Sequence, residues 1–312
     1  MTLSTGRPPA PRSASAPAAR ATNPDGDWLL SQLREALDLT SRAAVRRLAP
    51  AFWQPRPGSP FHDELANTEV DTHGVPWGRQ EPTMAIEMAQ LSMIAVEDYL
   101  TGIRKLLEPP FPPPTPKLGA AALCRSALES AGAAFWLMDP QLTVRQRVAR
   151  TYLVLWQESG TAAKNAAKVG TPTDAAQAQA DLSALVARID DLGLSHTNKP
   201  LTVDGERLPT KTDKVTTLLA GKIRGGHEIV YSLYSAIAHA EMTGILSRRL
   251  AGTWTITPRQ LTQNVELAVV AFGQLQRRLC LGGMGSAPDE VANQLWEHNV
   301  GRRLLAVRRR LS

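Results

Sequence analysis

The chain has few aromatic residues, few cysteines and no long apolar run. Phe, Trp and Tyr make up 5% of the 312 residues, and the cysteines are Cys124 and Cys280. Neither cysteine has a second Cys or a metal-like His spacing nearby, so the sequence supports neither a disulfide framework nor a zinc site. No run of about 18 apolar residues predicts a transmembrane helix. No apolar stretch follows the N-terminal charges as it would in a secretory signal. We therefore expect a cytoplasmic protein without a membrane span.

Motifs for common catalytic chemistry are also missing. The sequence contains no Walker-type loop, nucleotide-binding glycine pattern, nucleophile elbow or His-Glu-x-x-His zinc motif. We therefore expect no cofactor and no bound metal. Whether the protein is an enzyme stays open at this point.

The net charge of +6 is concentrated at the two ends of the chain. Five arginines lie in the last twelve residues and three in the first 24, which leaves residues 25–300 with a net charge of about −2. Nucleic-acid binding across the body of the protein would need a basic face there. The composition does not predict such a face, although local basic patches are compatible with it.

What the sequence does contain is helical periodicity over most of its length. With 43% hydrophobic residues the chain can bury a sizeable core. Residues 1–24 are rich in Pro, Ala, Ser and Arg and are expected to form a disordered tail. Residues 25–312 are expected to form a single all-α domain, a multi-helix bundle with irregular loops and one small hairpin near 195–210. The predicted helices cover residues 28–48, 82–107, 118–138, 143–169, 172–191, 213–223, 226–250, 258–281 and 287–310.

The helix predicted over residues 226–250 is apolar almost all the way round, with one narrow polar stripe. Glu228, Ser232, Ser235 and His239 share that stripe, and Tyr231 lies on its flank. Such a helix belongs at the centre of a bundle, where polar groups must find partners. His239 is therefore the leading site candidate. It is either a hydrogen-bonded core histidine or a catalytic or ligand-binding one.

A second polar pair lies on the helix predicted over residues 118–138. Arg125 and Glu129 are four residues apart and share a face of the helix. Gly132 has no side chain on that face, which allows another helix to approach closely. One interpretation is an ordinary intrahelical ion pair. In the other, Arg125 and Glu129 meet Ser235 and His239 across a helix contact, and the groups shift one another's pKa values as in a functional pocket.

An Arg-x-x-x-Glu helix, followed by a later helix with Ser or Tyr ahead of a late His, resembles the HEPN-like helical families. The resemblance covers about residues 118–250, and little-characterised members of these families occur in bacterial genomes. In the ribonuclease branch it implies an Arg a few residues before the His, but no Arg occurs among residues 232–235. The resemblance therefore implies a degenerate, HEPN-like core. It also implies that members that cut RNA work as dimers.

Three functions follow from these patterns. The first is a non-catalytic interaction or regulatory protein that binds an unknown protein partner or a second copy of itself. The second is a metal-independent ribonuclease with RNA as substrate, in which His239 is the acid or base and Arg125 stabilises the phosphate charge. The third is a sensor that binds a small anion. Glu129, Ser235, Ser232 and Tyr231 are the expected binding residues in these interpretations.

Two basic segments have competing interpretations. The C-terminal helix combines an apolar seam with several arginines, which predicts either a packed final helix with a solvated end or a contact with nucleic acid or an anionic membrane. Arg145, Arg147 and Arg150 form a basic patch at the start of another helix. We expect a solvated face there, with an acidic partner as the alternative.

Overall fold

The structure, a computed structural model, describes residues 24–66, 69–108, 119–220 and 258–311. Helices dominate these ranges, as the all-α prediction requires, and the only sheet within them is small and three-stranded. The helices are α1 (Pro24–Arg47), α2 (Pro60–Leu65), α3 (Gln80–Leu106), α4 (Gly119–Leu137), α5 (Val144–Val169), α6 (Pro172–Asp191), α7 (Lys211–Leu219), α8 (Pro258–Gly282) and α9 (Ala287–Leu311), with a 3-10 turn at Pro50–Trp53. None of the helices described is long and apolar enough to cross a membrane.

Capping boxes set the starts of three consecutive helices. The Thr143 hydroxyl accepts from the backbone N–H of Gln146, whose side chain accepts from the N–H of Thr143. The same reciprocal arrangement begins α6 at Thr171 and α7 at Thr210. Each box satisfies two backbone donors that a helix N-terminus leaves without partners, which fixes the helix start locally.

The segment between α6 and α7 forms a sheet rather than a single hairpin. Strands β1 (His196–Asn198), β2 (Leu201–Val203) and β3 (Glu206–Arg207) pair antiparallel in that order. Asp204 and Gly205 connect β2 to β3 with φ values of +47° and +79°. Two positive φ values suit the tight turn that matches strand twist, and Asp-Gly is a preferred pair for it.

The buried hydrophobic residues of the described ranges form two clusters. The larger one joins α1, α3, α4, α7, α8 and α9, and the smaller one joins α5, α6 and the sheet with Trp77. The Trp136 side chain, near the end of α4, is half-buried and packs against both clusters. Trp136 therefore lies where the large helical cluster meets the α5–α6–sheet cluster.

Arg147 and Arg150 hold the end of α4 and Arg145 pairs with the sheet, which corrects the expected solvated face at these three arginines. Arg147 is fully buried, donates to the carbonyls of Leu137 and Asp139, and pairs with Glu64 through two hydrogen bonds. The other two arginines also bind groups of the same chain. Arg145 pairs with Asp204 and Glu69. Arg150 pairs with Glu206 and donates to the Trp136 carbonyl. Cations are unfavourable at a helix N-terminus but favourable at a C-terminus, so the end of α4 explains the positions of Arg147 and Arg150.

The final helix packs as its apolar seam predicts. Val300, Leu304 and Val307 of α9 are buried. The arginines of its basic end reach own-chain groups: Arg303 pairs with Glu35 of α1, and Arg308 with Glu266 of α8. Part of the C-terminal positive charge is therefore neutralised within the molecule.

Candidate functional site

The predicted site residues divide between described and undescribed parts of the chain. His239, Ser235, Ser232 and Tyr231 belong to residues 221–257, which lie outside the described residues. Arg125 and Glu129 of α4 are described. Their predicted meeting with the His239 stripe therefore stays a prediction, and the site is built from the neighbours that the structure does place around α4.

Arg125 and Glu129 form a largely buried ion pair. The Nε atom of Arg125 lies 2.5 Å from the carboxylate of Glu129, and the two side chains are 10% and 18% exposed. The second carboxylate oxygen of Glu129 accepts from the Lys211 ammonium of α7 at 2.7 Å. Glu129 thus links a cation of its own helix to a cation on α7.

Gly132 lets α7 lie directly against α4. A Cβ atom at this position would lie 3.2 Å from the carbonyl carbon of Lys214 and 3.3 Å from the backbone nitrogen of Val215. Distances of this size are tighter than ordinary van der Waals contact, so a larger residue would push the backbone of α7 away. The close approach that Gly132 predicts is confirmed, and it brings Lys211 and Lys214 beside Glu129.

Lys214 is half-buried at this contact. Its Nζ atom lies 5.0 Å from the centroid of the Trp136 ring, a cation–π distance. Burial lowers the pKa of the Lys214 ammonium, the charge of Glu158 raises it, and the charge of Lys211 lowers it further. Among the described residues, no carboxylate lies within ion-pair distance of Lys214.

Glu129, Lys211 and Lys214 line a cavity of about 780 Å³ between α3, α4, α5 and α7. We call it the α7 cavity. Its charged lining consists of Glu129, Glu158, Lys211 and Lys214. The remaining walls are mainly apolar. Their apolar residues include Met88, Ala133, Ala134, Leu137, Val154, Leu208 and Pro209. An apolar cavity of this size with a few convergent charges is typical of a small-molecule site.

The hydroxyl groups on the cavity wall are already committed to local hydrogen bonds. Ser92 donates to the Met88 carbonyl, and Thr161 donates to the Gln157 carbonyl, each one turn back on its own helix. Thr210 donates to the carboxylate of Asp213 in the α7 capping box. Ser92 and Thr161 donate to backbone carbonyls, which are not bases that would activate a nucleophile, and the Asp213 carboxylate beside Thr210 also accepts the backbone N–H of the helix cap. The described hydroxyl groups of the wall are therefore all engaged in local hydrogen bonds.

Sequence reasoning missed Lys211 and Lys214. The helix that carries them was placed over residues 213–223, whereas α7 begins at Lys211, directly after the Pro209-Thr210 start signal. The signal that could have found them is the Thr210–Asp213 capping box, which puts both lysines in the first turn of one helix with a spacing of three residues.

A second buried polar cluster is best explained as structural. The Tyr152 hydroxyl donates to Glu81 at 2.8 Å, and the other carboxylate oxygen of Glu81 pairs with Arg188. Burial, followed by the Glu81 carboxylate, raises the pKa of Tyr152. The cluster joins α3, α5 and α6 without lining the α7 cavity. Within the described ranges, no group of His, Cys, Asp and Glu residues is arranged to hold a metal ion.

Comparison with known proteins adds no relative to this geometry. No family model, curated protein or solved structure matches the chain.

Proposed function

We propose that this is a non-catalytic regulatory protein that binds a small amphipathic anion in the α7 cavity. Lys214 carries the proposal. Its ammonium is half-buried at the wall of an apolar cavity and contacts an aromatic ring, and the Glu158 carboxylate of the same cavity acts on it through its charge without forming an ion pair. Desolvating a cation costs free energy unless an opposite charge compensates, and a bound anion would supply that charge.

The lining defines the chemical class of the ligand. Lys211 and Lys214 would contact its anionic group, and the apolar walls would cover its body. Glu129 pairs with both Arg125 and Lys211, whereas Lys214 makes no ion pair with a described carboxylate, so Lys214 supplies the cation with the least compensation. A carboxylate, sulfonate or phosphate on an aromatic or aliphatic body fits this lining.

Anilinonaphthalene sulfonate tests the proposal directly because it carries an aromatic body and one fixed negative charge. Its fluorescence on titration with the folded protein gives a dissociation constant. We expect Lys214→Met to weaken binding by about tenfold, since a charge-assisted contact is worth about 1.5–3 kcal/mol. Lys168→Met, at an exposed lysine near the end of α5, is the matched control and should leave binding unchanged.

The neutral analogue N-phenylnaphthylamine separates charge recognition from general apolar binding. It should bind more weakly than the sulfonate to the wild type, and Lys214→Met should not weaken it further. Melting temperatures of all variants ensure that the dye reports a folded cavity. If Lys214→Met lowered the affinity for both dyes equally, or lowered neither affinity, the proposal of an anion site would be wrong.

A further inference from the structure

A second concave surface adjoins the α7 cavity, with which it shares Gln157, Thr161 and Leu208. It has a volume of about 1000 Å³ and lies between α5, α6 and the three-stranded sheet. We call it the sheet groove. Its lining residues are Trp156, Gln157, Gly160, Thr161, Ala163, Lys164, Ala167, Gln179, Leu182, Asn198, Lys199, Pro200, Leu201, Arg207 and Leu208. This volume is at the upper end of small-ligand cavities, which range over about 300–1,000 Å³.

The sheet groove combines apolar and cationic side chains. Leu182, Leu201 and Leu208 are half-buried and supply apolar surface from α6 and the sheet. Lys164 and Arg207 are exposed cations on α5 and β3, and exposed Lys199 lies between β1 and β2. Among the described residues, the lining contains no Asp or Glu.

The three cations differ from the arginines around them. Arg145 and Arg150 of α5 pair with Asp204 and Glu206 of the sheet. In the part of the chain that the structure describes, Lys164, Lys199 and Arg207 make no ion pair. The carboxylates of the sheet thus face the start of α5, and the groove keeps a net positive charge.

We propose that the sheet groove docks an acidic segment of a partner protein that also carries apolar side chains. Charge complementarity is the argument: carboxylates of the segment would pair with the three cations, and its apolar side chains would pack on the three leucines. Such a surface gives specificity and faster association through its charges, and affinity through the apolar contact. The cations that carry this inference are different residues from the lysines of the α7 cavity.

The aromatic content of the groove argues against single-stranded nucleic acid as the occupant. Binding of single strands relies on exposed aromatic rings on which bases stack. Trp156 is the one aromatic residue that the described part of the chain contributes to the lining. It is 8% exposed, and its ring makes an edge contact with His196 at a centroid distance of 5.0 Å. A peptide needs no such platform.

Fluorescence anisotropy with three labelled probes tests the docking surface on the full chain. The probes are a short peptide in which Asp residues flank Leu residues, its twin with Asn for Asp, and an oligothymidine. We expect the Asp peptide to bind, with an affinity that falls as salt is added, and the Asn twin to bind at least about tenfold more weakly. Binding of the oligothymidine without the peptide would overturn the proposal.

Charge reversal locates the binding surface. The triple variant Lys164→Glu, Lys199→Glu and Arg207→Glu should lose at least about tenfold in affinity for the Asp peptide. The matched control reverses three exposed cations on other helices, Arg42, Lys105 and Arg302. If both triple variants lose equal affinity, binding follows net charge alone and the groove is not the site.

A steric variant tests the groove without changing its charge. A Cβ atom at Gly160 would have no neighbour within 4 Å, so Gly160→Trp should fold and place its ring in the groove. We expect this variant to lower the affinity for the Asp peptide at least about fivefold, because the ring occupies the surface on which the Leu side chains of the peptide would pack. Gly301→Trp, at a similarly open position on α9, should not change binding. Unchanged binding in Gly160→Trp would place the peptide elsewhere.

Discussion

The ammonium of Lys214 lies 5.0 Å from the ring centroid of Trp136, and the guanidinium of Arg150 lies 4.7 Å from the same centroid. Arg150 also donates to the Trp136 carbonyl and pairs with Glu206, so its charge is compensated. Lys214 has the ring alone as its close partner in the described part of the chain. One tryptophan thus connects a structural cation, which holds α4 to α5, with the cation that we assign to ligand binding.

The lowered pKa of Lys214 predicts how anion binding depends on pH. Between the folded pKa and the ordinary lysine value of about 10.4, the folded protein holds fewer protons at this amine than the unfolded chain does. Protein stability therefore gains from Lys214 as pH rises through that interval. Anion binding behaves in the opposite way, because only the ammonium attracts the anion. We expect the affinity for anilinonaphthalene sulfonate to fall with rising pH from below the ordinary lysine value.

Lys214→Arg is the control for that pH dependence. A guanidinium stays charged throughout the range, so the variant should lose the alkaline decrease in affinity that the wild type has. Dissociation constants measured at a series of pH values compare the two proteins. The same alkaline decrease in both would assign the titration to another group and remove Lys214 from the mechanism.

Replacing Glu129 should separate stability from anion binding. Glu129→Gln leaves Arg125 and Lys211 without the carboxylate that now lies between them, and the potential in the α7 cavity becomes more positive. We expect a loss of about 1–3 kcal/mol in the free energy of unfolding together with tighter binding of the sulfonate dye. Urea denaturation and dye titration measure the two effects. If the variant binds the dye more weakly, Glu129 supports the site through its position rather than its charge.

The buried pair of Arg147 and Glu64 should be needed for stability alone. Arg147 is fully buried and makes four hydrogen bonds, two to Glu64 and two to the backbone at the end of α4. Arg147→Met leaves the Glu64 carboxylate and those carbonyls without their donor. We expect a loss of about 3–5 kcal/mol in urea denaturation. A loss below about 1 kcal/mol would mean that water replaces the guanidinium, contrary to its burial.

The absence of RNA cleavage is a direct expectation of the non-catalytic proposal. Wild-type protein and His239→Ala should both leave a mixed RNA pool intact in the presence of a chelator. Melting temperatures should accompany the assay, because loss of a hydrogen-bonded core histidine would cost about 1–3 kcal/mol. Cleavage by the wild type that disappears in an equally stable His239→Ala variant would instead establish a metal-independent ribonuclease.

Helix positions were predictable from the sequence because their signals are local. The boxes at Thr143 and Thr171 lie within a few residues of the helices that they start, and both form as their spacing predicts. The Asp204-Gly205 turn is equally local. In each case the partner atoms are at most three residues apart, so tertiary structure is not needed to bring them together.

The candidate site was only partly predictable because its contacts join distant segments. Arg125 and Glu129 are neighbours on one helix, and their pairing follows from spacing alone. Lys211 reaches Glu129 from 82 residues away, and Arg147 reaches Glu64 across 83. Charge patterns within one helix do not contain that information. This is why three arginines that resemble a solvated face at the start of α5 turn out to be partners of α4, α2 and the sheet.

Two glycines give matched substitutions with opposite expected effects. A methyl group at Gly132 would press on the backbone of Lys214 and Val215, whereas one at Gly160 would meet nothing within 4 Å. Gly132→Ala should therefore lower the free energy of unfolding by about 1–3 kcal/mol through overpacking. Gly160→Ala should raise it by about 0.4–1 kcal/mol, because alanine restricts the unfolded chain and favours the helix.

The Gly132 substitution also tests whether the α7 cavity depends on the contact between α4 and α7. Moving α7 outward would shift Lys211 and Lys214 together. Gly132→Ala should therefore lower the affinity for the sulfonate dye, whereas Gly160→Ala should leave that affinity unchanged. Circular dichroism in urea and dye titration give the two readouts on the same samples. If Gly132→Ala lost stability but bound the dye as the wild type does, anion binding by the lysines would not depend on the contact between α7 and α4. The close approach at Gly132 would then serve packing alone.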